Sequence, residues 1–353
     1  MATTVKEILT KRDLFSGGLE ARRTSTTQDQ RLLNVYQETI NASAGRVALV
    51  KRPGLTLDSQ MPEAGQSRGI FYFGGHLYVI IEDRLYKDGV EVLTLNTDSG
   101  GMGYVECNYA GTVYMFFCDG TDGYLVDDGG DITQIQTTYD SWVMSTTYAE
   151  GDVVRPSTET SLYYTCTVAG TSNSTEPTWP TTIGTTVVDG GVTWTCSGYY
   201  GGFPSPHIPT PVFIDGYILL PRASSADIYN SGLGDPNSWN PMDFIESEMF
   251  ADPVTALARQ NNQVVAFGAY GTEFFFDNGA NQKTGTPLAR NQNTFLQVGC
   301  PAPFAIGQSE QNCFFIGESQ TGGRAVWKLD GFTATKVPRH KAQTFSSNLI
   351  LYS

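Results

Sequence analysis

Five aspartates crowd one short stretch of the chain, CDGTDGYLVDDGGD, residues 118–131. Together Asp119, Asp122, Asp127, Asp128 and Asp131 offer oxygens of the kind Ca²⁺ gathers, about six to eight per ion. Their spacing is not that of an EF-hand loop. Asp-Gly pairs are also what hairpin turns use to reach positive φ, so the stretch reads foremost as acidic turns between strands. A second constellation is aromatic. SLYYTCTVAGTSNSTEPTWPTTIGTTVVDGGVTWTC (161–196) contains no Lys or Arg and is dense in threonine. Trp142, Tyr148, Trp179 and Trp194 present ring faces that suit stacking on a glycan or contact with a fibre, and Trp179 is flanked by prolines. The same rings, with Tyr164, are nearly all that so small a segment has for a core, and core is the reading we favour.

Other chemistry finds little support. His76, His207 and His340 fall in unrelated contexts, away from any Cys or His at metal spacing, so no metal site is expected. No G-x-S-x-G elbow, H-E-x-x-H or Walker loop occurs. Glu246, Glu248, Asp252 and Glu273 are carboxylates of the type a glycosidase pairs across a cleft, but nothing in the linear order brings two of them together. We expect no enzyme and no cofactor.

The elements that must position these residues are strands. In GGHLYVIIEDRLYKDGVEVLTL (74–95) two β-rich runs flank a Glu-Asp turn, and a third follows Asp88-Gly89. The plan recurs from 110, 211, 261 and 311, at roughly 40–50 residue spacing once a 59-residue insert is set aside. Units of that length with several strands apiece, and no linker between them, predict a mainly-β fold. Specifically, they predict a β-propeller with an inserted small all-β module and a short N-terminal arm. Tandem sandwiches are the rival. The expected boundaries are an arm over 1–23, a first propeller part over 24–139, the module over 140–198, and a second part over 199–353. Thr4 and Glu7 form a capping box for one short helix in the arm.

Net charge is −14, unevenly spread. Residues 88–258 carry 22 acids against Arg155 and Arg222 alone, a field that repels a phosphate backbone and argues against nucleic-acid reading. No apolar run approaches the roughly 18 residues of a membrane span, and MATTVKEILTKRDLF lacks the apolar core of a secretory signal. The six cysteines show no C-x-x-C spacing and read as reduced, with Cys166 and Cys196 the one pair that neighbouring strands could bridge.

RLLNVYQETINASAGRVALVKRPGLTL (31–57) resembles the opening of the packaged-DNA stabilisation proteins, the tail nozzle or hub proteins of short-tailed bacteriophages. Ser231, Trp239, Asp243, Asp252, Phe267, Gly268, Thr272 and Glu273 stand where that family has its Gly/Asp/Pro turn, Trp-x-x-x-Asp and Phe-Gly-x-x-x-Thr-Glu. Gly299-Cys300 and Gly317 continue the pattern. The resemblance covers about residues 24–139 and 199–345. It implies a structural virion protein, made in the host cytoplasm and placed in the tail. Such a protein forms a ring, commonly a homo-hexamer, next to the adaptor and portal proteins. It closes the channel, carries spikes or fibres, and lets packaged DNA pass without specific recognition. The insert is similar to small chitin-binding-type modules, through W…TTYAEGDVV…YYTCTVAGTS, which implies as an alternative a host-receptor or glycan-binding tail protein. FSSNLILYS (345–353) reads as a strand, so the expected propeller needs residues beyond 353, or another chain, to close.

Overall fold

A computed structural model describes residues 35–41, 46–51, 65–109, 111–158, 160–249, 251–279, 286–309 and 312–337. The N-terminal arm with its Thr4–Glu7 capping box, His340 and the closing FSSNLILYS lie outside the described residues. Every regular element among them is a β-strand. The hairpin of β1 (Val35–Asn41) and β2 (Arg46–Lys51) pairs from Val35↔Lys51 to Asn41↔Arg46, with an irregularity between Thr39 and Asn41. It falls in a compact unit separate from the strands that follow.

Apart from an inserted module, those strands form five four-stranded antiparallel sheets. The first is β3 (Ser67–Phe73), β4 (His76–Ile81), β5 (Arg84–Lys87) and β6 (Val90–Thr94). Its turns follow from single residues: Glu82 stands at φ 51°, and Asp88 and Gly89 at 50° and 82°. Two consecutive positive-φ residues are what a two-residue hairpin requires. The second sheet is β7 (Gly103–Tyr109), β8 (Thr112–Cys118), β9 (Gly123–Val126) and β10 (Ile132–Gln134).

The chain then leaves for a module with two sheets of its own. β11 (Thr147–Tyr148) pairs with β14 (Gly170–Thr171), while β12 (Val153–Val154), β13 (Leu162–Val168), β16 (Val192–Tyr199) and β15 (Thr186–Asp189) lie side by side in that order. The remaining three sheets are β17 (Val212–Ile214) through β18 (Tyr217–Pro221), β19 (Asp227–Asn230) and β20 (Phe244–Glu246); β21 (Ala256–Gln260), β22 (Gln263–Phe267), β23 (Thr272–Asp277) and β24 (Leu288–Leu296); and β25 (Ile306–Ser309), β26 (Asn312–Ser319), β27 (Gly322–Asp330) and β28 (Thr333–Lys336).

Each of the middle three of these sheets buries one face on the sheet before it and the other on the sheet after. Phe71, Tyr78 and Leu85 join Met115, Phe117 and Val126; Phe116, Cys118 and Leu125 join Ile218, Leu220 and Tyr229. Ile214, Leu219 and Ile228 join Val264, Ala266 and Phe275, and Val265, Phe267 and Phe274 join Cys313, Phe315 and Leu329. First strands meet first strands (β7 with β17, β17 with β21), while fourth strands such as β6 and β28 are largely exposed. These sheets are propeller blades, and the mainly-β, propeller-like expectation is met. A Cβ on Gly101, between the first two blades, would fall 2.3 Å from the Phe304 ring between the last two, so the row of blades curves on itself.

Candidate functional site

The acidic stretch is two turns at opposite ends of β9, roughly 13 Å apart at strand rise. In the first, Asp119 is buried and saturated. Its Oδ1 accepts from the amides of Thr121 and Asp122 at 2.9 and 2.7 Å, and its Oδ2 from Thr97 Oγ1 at 2.6 Å. Asp122 accepts from Asn96 Nδ2 at 2.9 Å. In the second, Asp127 Oδ1 accepts from the Asp131 amide at 2.8 Å, while Asp128 and Asp131 are exposed. The five acids therefore do not converge, and no group of three or more His, Cys, Asp or Glu among the described residues is placed to hold a metal. Asp119 instead ends a chain that locks the first two blades. The buried Arg68 guanidinium donates to the carbonyls of Gly100, Glu82 and Thr97 and to Thr97 Oγ1, which passes the contact to Asp119. Beside it lies an open cleft of about 600 Å³, with Asp83, Asp98 and Asp119 in its wall.

The insert aromatics are core. Trp194 is fully buried, Tyr148 is 8% exposed, and Trp142 and Trp179 pack against the same cluster with Tyr164, Cys166 and Cys196. Tyr148 meets Trp194 edge-on at 4.8 Å, and Trp179 tilts over Tyr164 at 4.3 Å. Buried so deeply, Trp194 and Tyr148 present little ring face to a ligand. The polar ends of Trp142 and Trp179 are engaged too, Trp179 Nε1 donating to Glu176 at 2.8 Å. Sequence reasoning missed the residue that organises this core. Asp189, wholly buried, accepts from Trp142 Nε1 (2.8 Å), Trp194 Nε1 (3.1 Å) and the Asn173 amide (2.9 Å). Cys166 stands opposite Trp194 and Cys196 opposite Tyr164, so the two do not face one another, and all six cysteines are free and buried.

The module is fastened to the third blade. Ser238 Oγ accepts from the Tyr199 amide at 3.0 Å, the Trp239 amide donates to Tyr199 O at 3.1 Å, and Tyr139 stacks on Tyr163 at 4.5 Å while meeting Tyr200 edge-on. Downstream, His207 clamps the second blade. Its Nδ1 lies 2.8 Å from the Pro204 carbonyl and its Nε2 accepts from the Gly120 amide at 3.2 Å, which fixes a neutral ring protonated at Nδ1. Burial lowers its pKa below the ordinary histidine value, against the pull of Asp119 and Asp122.

The carboxylates weighed for hydrolysis are also ties. Glu273 Oε1 accepts from Ser247 Oγ (2.6 Å) and the Met249 amide (2.8 Å); Arg290 Nε lies 3.0 Å from Oε2, out of line for a hydrogen bond, so that contact is coulombic. Arg290 also reaches Glu248 and the Glu246 carbonyl, strapping the third blade to the fourth. Asp252 Oδ2 accepts from the Tyr270 amide beneath Gly268, where a Cβ would lie 2.6 Å from that oxygen. Thr272 Oγ1 donates to Val298 O at 2.6 Å, Ser231 Oγ accepts from the Ile218 amide at 2.9 Å, and Trp239 Nε1 donates to Pro236 O at 2.8 Å. Burial pushes the Cys107 and Cys313 thiols up to about 12, far from a reactive thiolate. The positions of the Ser, Trp-x-x-x-Asp and Thr-Glu pattern are thus fastenings within and between blades.

Residues 205–345 match the family described as Phage_stabilise: Bacteriophage P22 Gp10, beta-propeller. The match spans the three blades after the insert and takes in every one of those fastenings. Among curated proteins nothing matches. Solved structures offer distant likenesses. BBS1N in complex with ARL6DN is 11% identical at a TM-score of 0.37, over 83% of this chain and 73% of that one. Citrobacter koseri AztD is 9% identical at 0.33, over 86% and 78%. KlHsv2 with a replaced loop is 10% identical at 0.31, over 78% and 82%. Likenesses this weak bear on neither function nor ancestry. No helix among the described residues is long and apolar enough to cross a membrane.

Proposed function

We propose that this chain is a structural component of a short-tailed phage particle, a nozzle-type tail protein that helps hold packaged DNA. The observation that carries the reading is the match over residues 205–345, whose patterned residues serve as blade fastenings with no catalytic arrangement among them. In this reading the work is mechanical. Buried ties such as Arg68–Thr97–Asp119 and Glu273–Arg290 make stiff walls, and symmetric copies, six in the reading favoured here, line a conduit against the adaptor and portal. The excess of acid over residues 88–258 denies DNA its phosphate contacts as it passes. Spikes or fibres attach outside.

The test is a phage particle in which this chain is depleted. Heads that fill and then leak DNA support the reading, and heads that retain DNA without the chain overturn it. A second arm deletes residues 140–198. Particles that keep their DNA but fail to adsorb would move the function to the insert, as a host-receptor or glycan-binding part. The burial of Tyr148 and Trp194 takes two of the four rings weighed for that alternative out of a ligand's reach.

A further inference from the structure

Within the third blade, Tyr229 pairs with Phe244, and the next rung sets Asn230 opposite Asp243, the Asn230 amide donating to Asp243 O at 3.2 Å. Residues opposed across an antiparallel ladder project from the same face, with Cβ atoms about 5 Å apart. Asn230 and Asp243 are 0% and 2% exposed, and each uses only half of its polar end. Asn230 Nδ2 donates to Ser231 O, and Asp243 Oδ1 accepts from Asn240 Nδ2, both at 3.0 Å. Asn230 Oδ1 and Asp243 Oδ2 have no partner. Two buried acceptors on one rung, with no donor between them, lack a single hydrogen.

We propose that Asn230 and Asp243 form a buried proton-binding site, in which protonated Asp243 Oδ2 donates to Asn230 Oδ1 and holds the third blade tight on the fourth. Ile228 on the same face belongs to the core shared with Val264 and Phe275, so charge on Asp243 would enter that joint. Its surroundings favour the neutral form. Burial pushes the carboxyl up to about 6, opposed by the hydrogen bond from Asn240. The phenols that feel it are Tyr199 of the insert, raised by burial and then by this carboxylate, and Tyr217 of β18, raised by burial, then Asp277, then Asp243. The loop after Asn230 also fastens the insert through Ser238, so the proton state of one carboxyl bears on both attachments.

The experiment compares wild type with Asp243→Asn, whose amide supplies the hydrogen permanently, by denaturant unfolding across the acid-to-neutral range. With the folded carboxyl at about 6 against about 4 unfolded, the unfolding constant of the variant falls relative to wild type by about a hundredfold between roughly pH 4 and pH 8. A ratio that does not change with pH overturns the proposal. If wild type at neutral pH gains stability from added calcium or potassium while Asp243→Asn does not, the two oxygens belong to a cation and the shared proton is wrong. Should Asp243→Asn not fold, aspartate carboxyl carbons are followed by carbon-13 NMR in the wild-type protein. A buried carboxyl still protonated near about pH 5, whose resonance moves in Asn230→Ser, supports the pair; its absence refutes it.

Discussion

At the scale of single residues, polar side chains here are spent on fastening. Removing one partner of a buried ion pair strands the other, at a cost of about 3–5 kcal/mol. Glu273 leaves Arg290 beside Phe275 and takes two hydrogen bonds from the 247–249 segment with it. Glu273→Ala should therefore lower stability by about that amount in denaturant melts, while Glu248→Ala, on the exposed side of the same arginine, should cost about 1 kcal/mol or less. His207 gives a pH signature of opposite sign to Asp243. Its folded pKa lies below its unfolded one, so the neutral ring's contribution is complete above about pH 6.5 and is lost as pH falls through the lowered value. His207→Gln should flatten that acid-side loss. The difference in melting temperature between variant and wild type, measured at each pH, isolates it from the carboxyl. These ties were barely legible in sequence. Asp189 sits in VVDGG, a string that reads as one more hairpin turn, and its burial is decided by Trp142, 47 positions earlier.

Elements were far easier to read. The turns at Glu82-Asp83 and Asp88-Gly89 follow from local backbone preference, and the runs they separate are strands β4, β5 and β6. Local chemistry fixes such features, whereas the pairing of side chains across blades depends on contacts tens of positions apart, 42 between Glu248 and Arg290 and 87 between Gly120 and His207. The inserted module shows the contrast within one element. Its threonine alternation, in register as Thr165↔Thr195↔Thr186, is visible as a strand pattern, yet only the assembled sheet reveals that the rings point inward. Trp194→Ala should open a cavity costing about 3–5 kcal/mol, with faster amide exchange over residues 141–199 and little change in the blades. Equal exchange throughout the chain would mean that the module shares its core with the propeller.

At the scale of the molecule, five blades in series among the described residues share four interblade cores, and stiffness grows from that repetition. The exposed acids at the second-blade turn, Asp128 and Asp131, are the places to test the charge argument, because neither carboxylate supports a blade tie. Changing both to lysine should leave folding intact and, in a particle, slow DNA ejection several-fold, because each new ammonium can hold a passing phosphate. Ejection kinetics at low and high salt distinguish a charge effect, which salt screens, from a steric one.

The stretches of chain that lead to and from the module stand side by side, Tyr139 meeting Tyr200 edge-on at 5.7 Å. A segment whose two ends share one doorway can be swapped as a cassette or lengthened, with only its ties to Ser238 and Trp239 to be remade. Diversity among related particles would then accumulate at this doorway while the frame around it stays fixed.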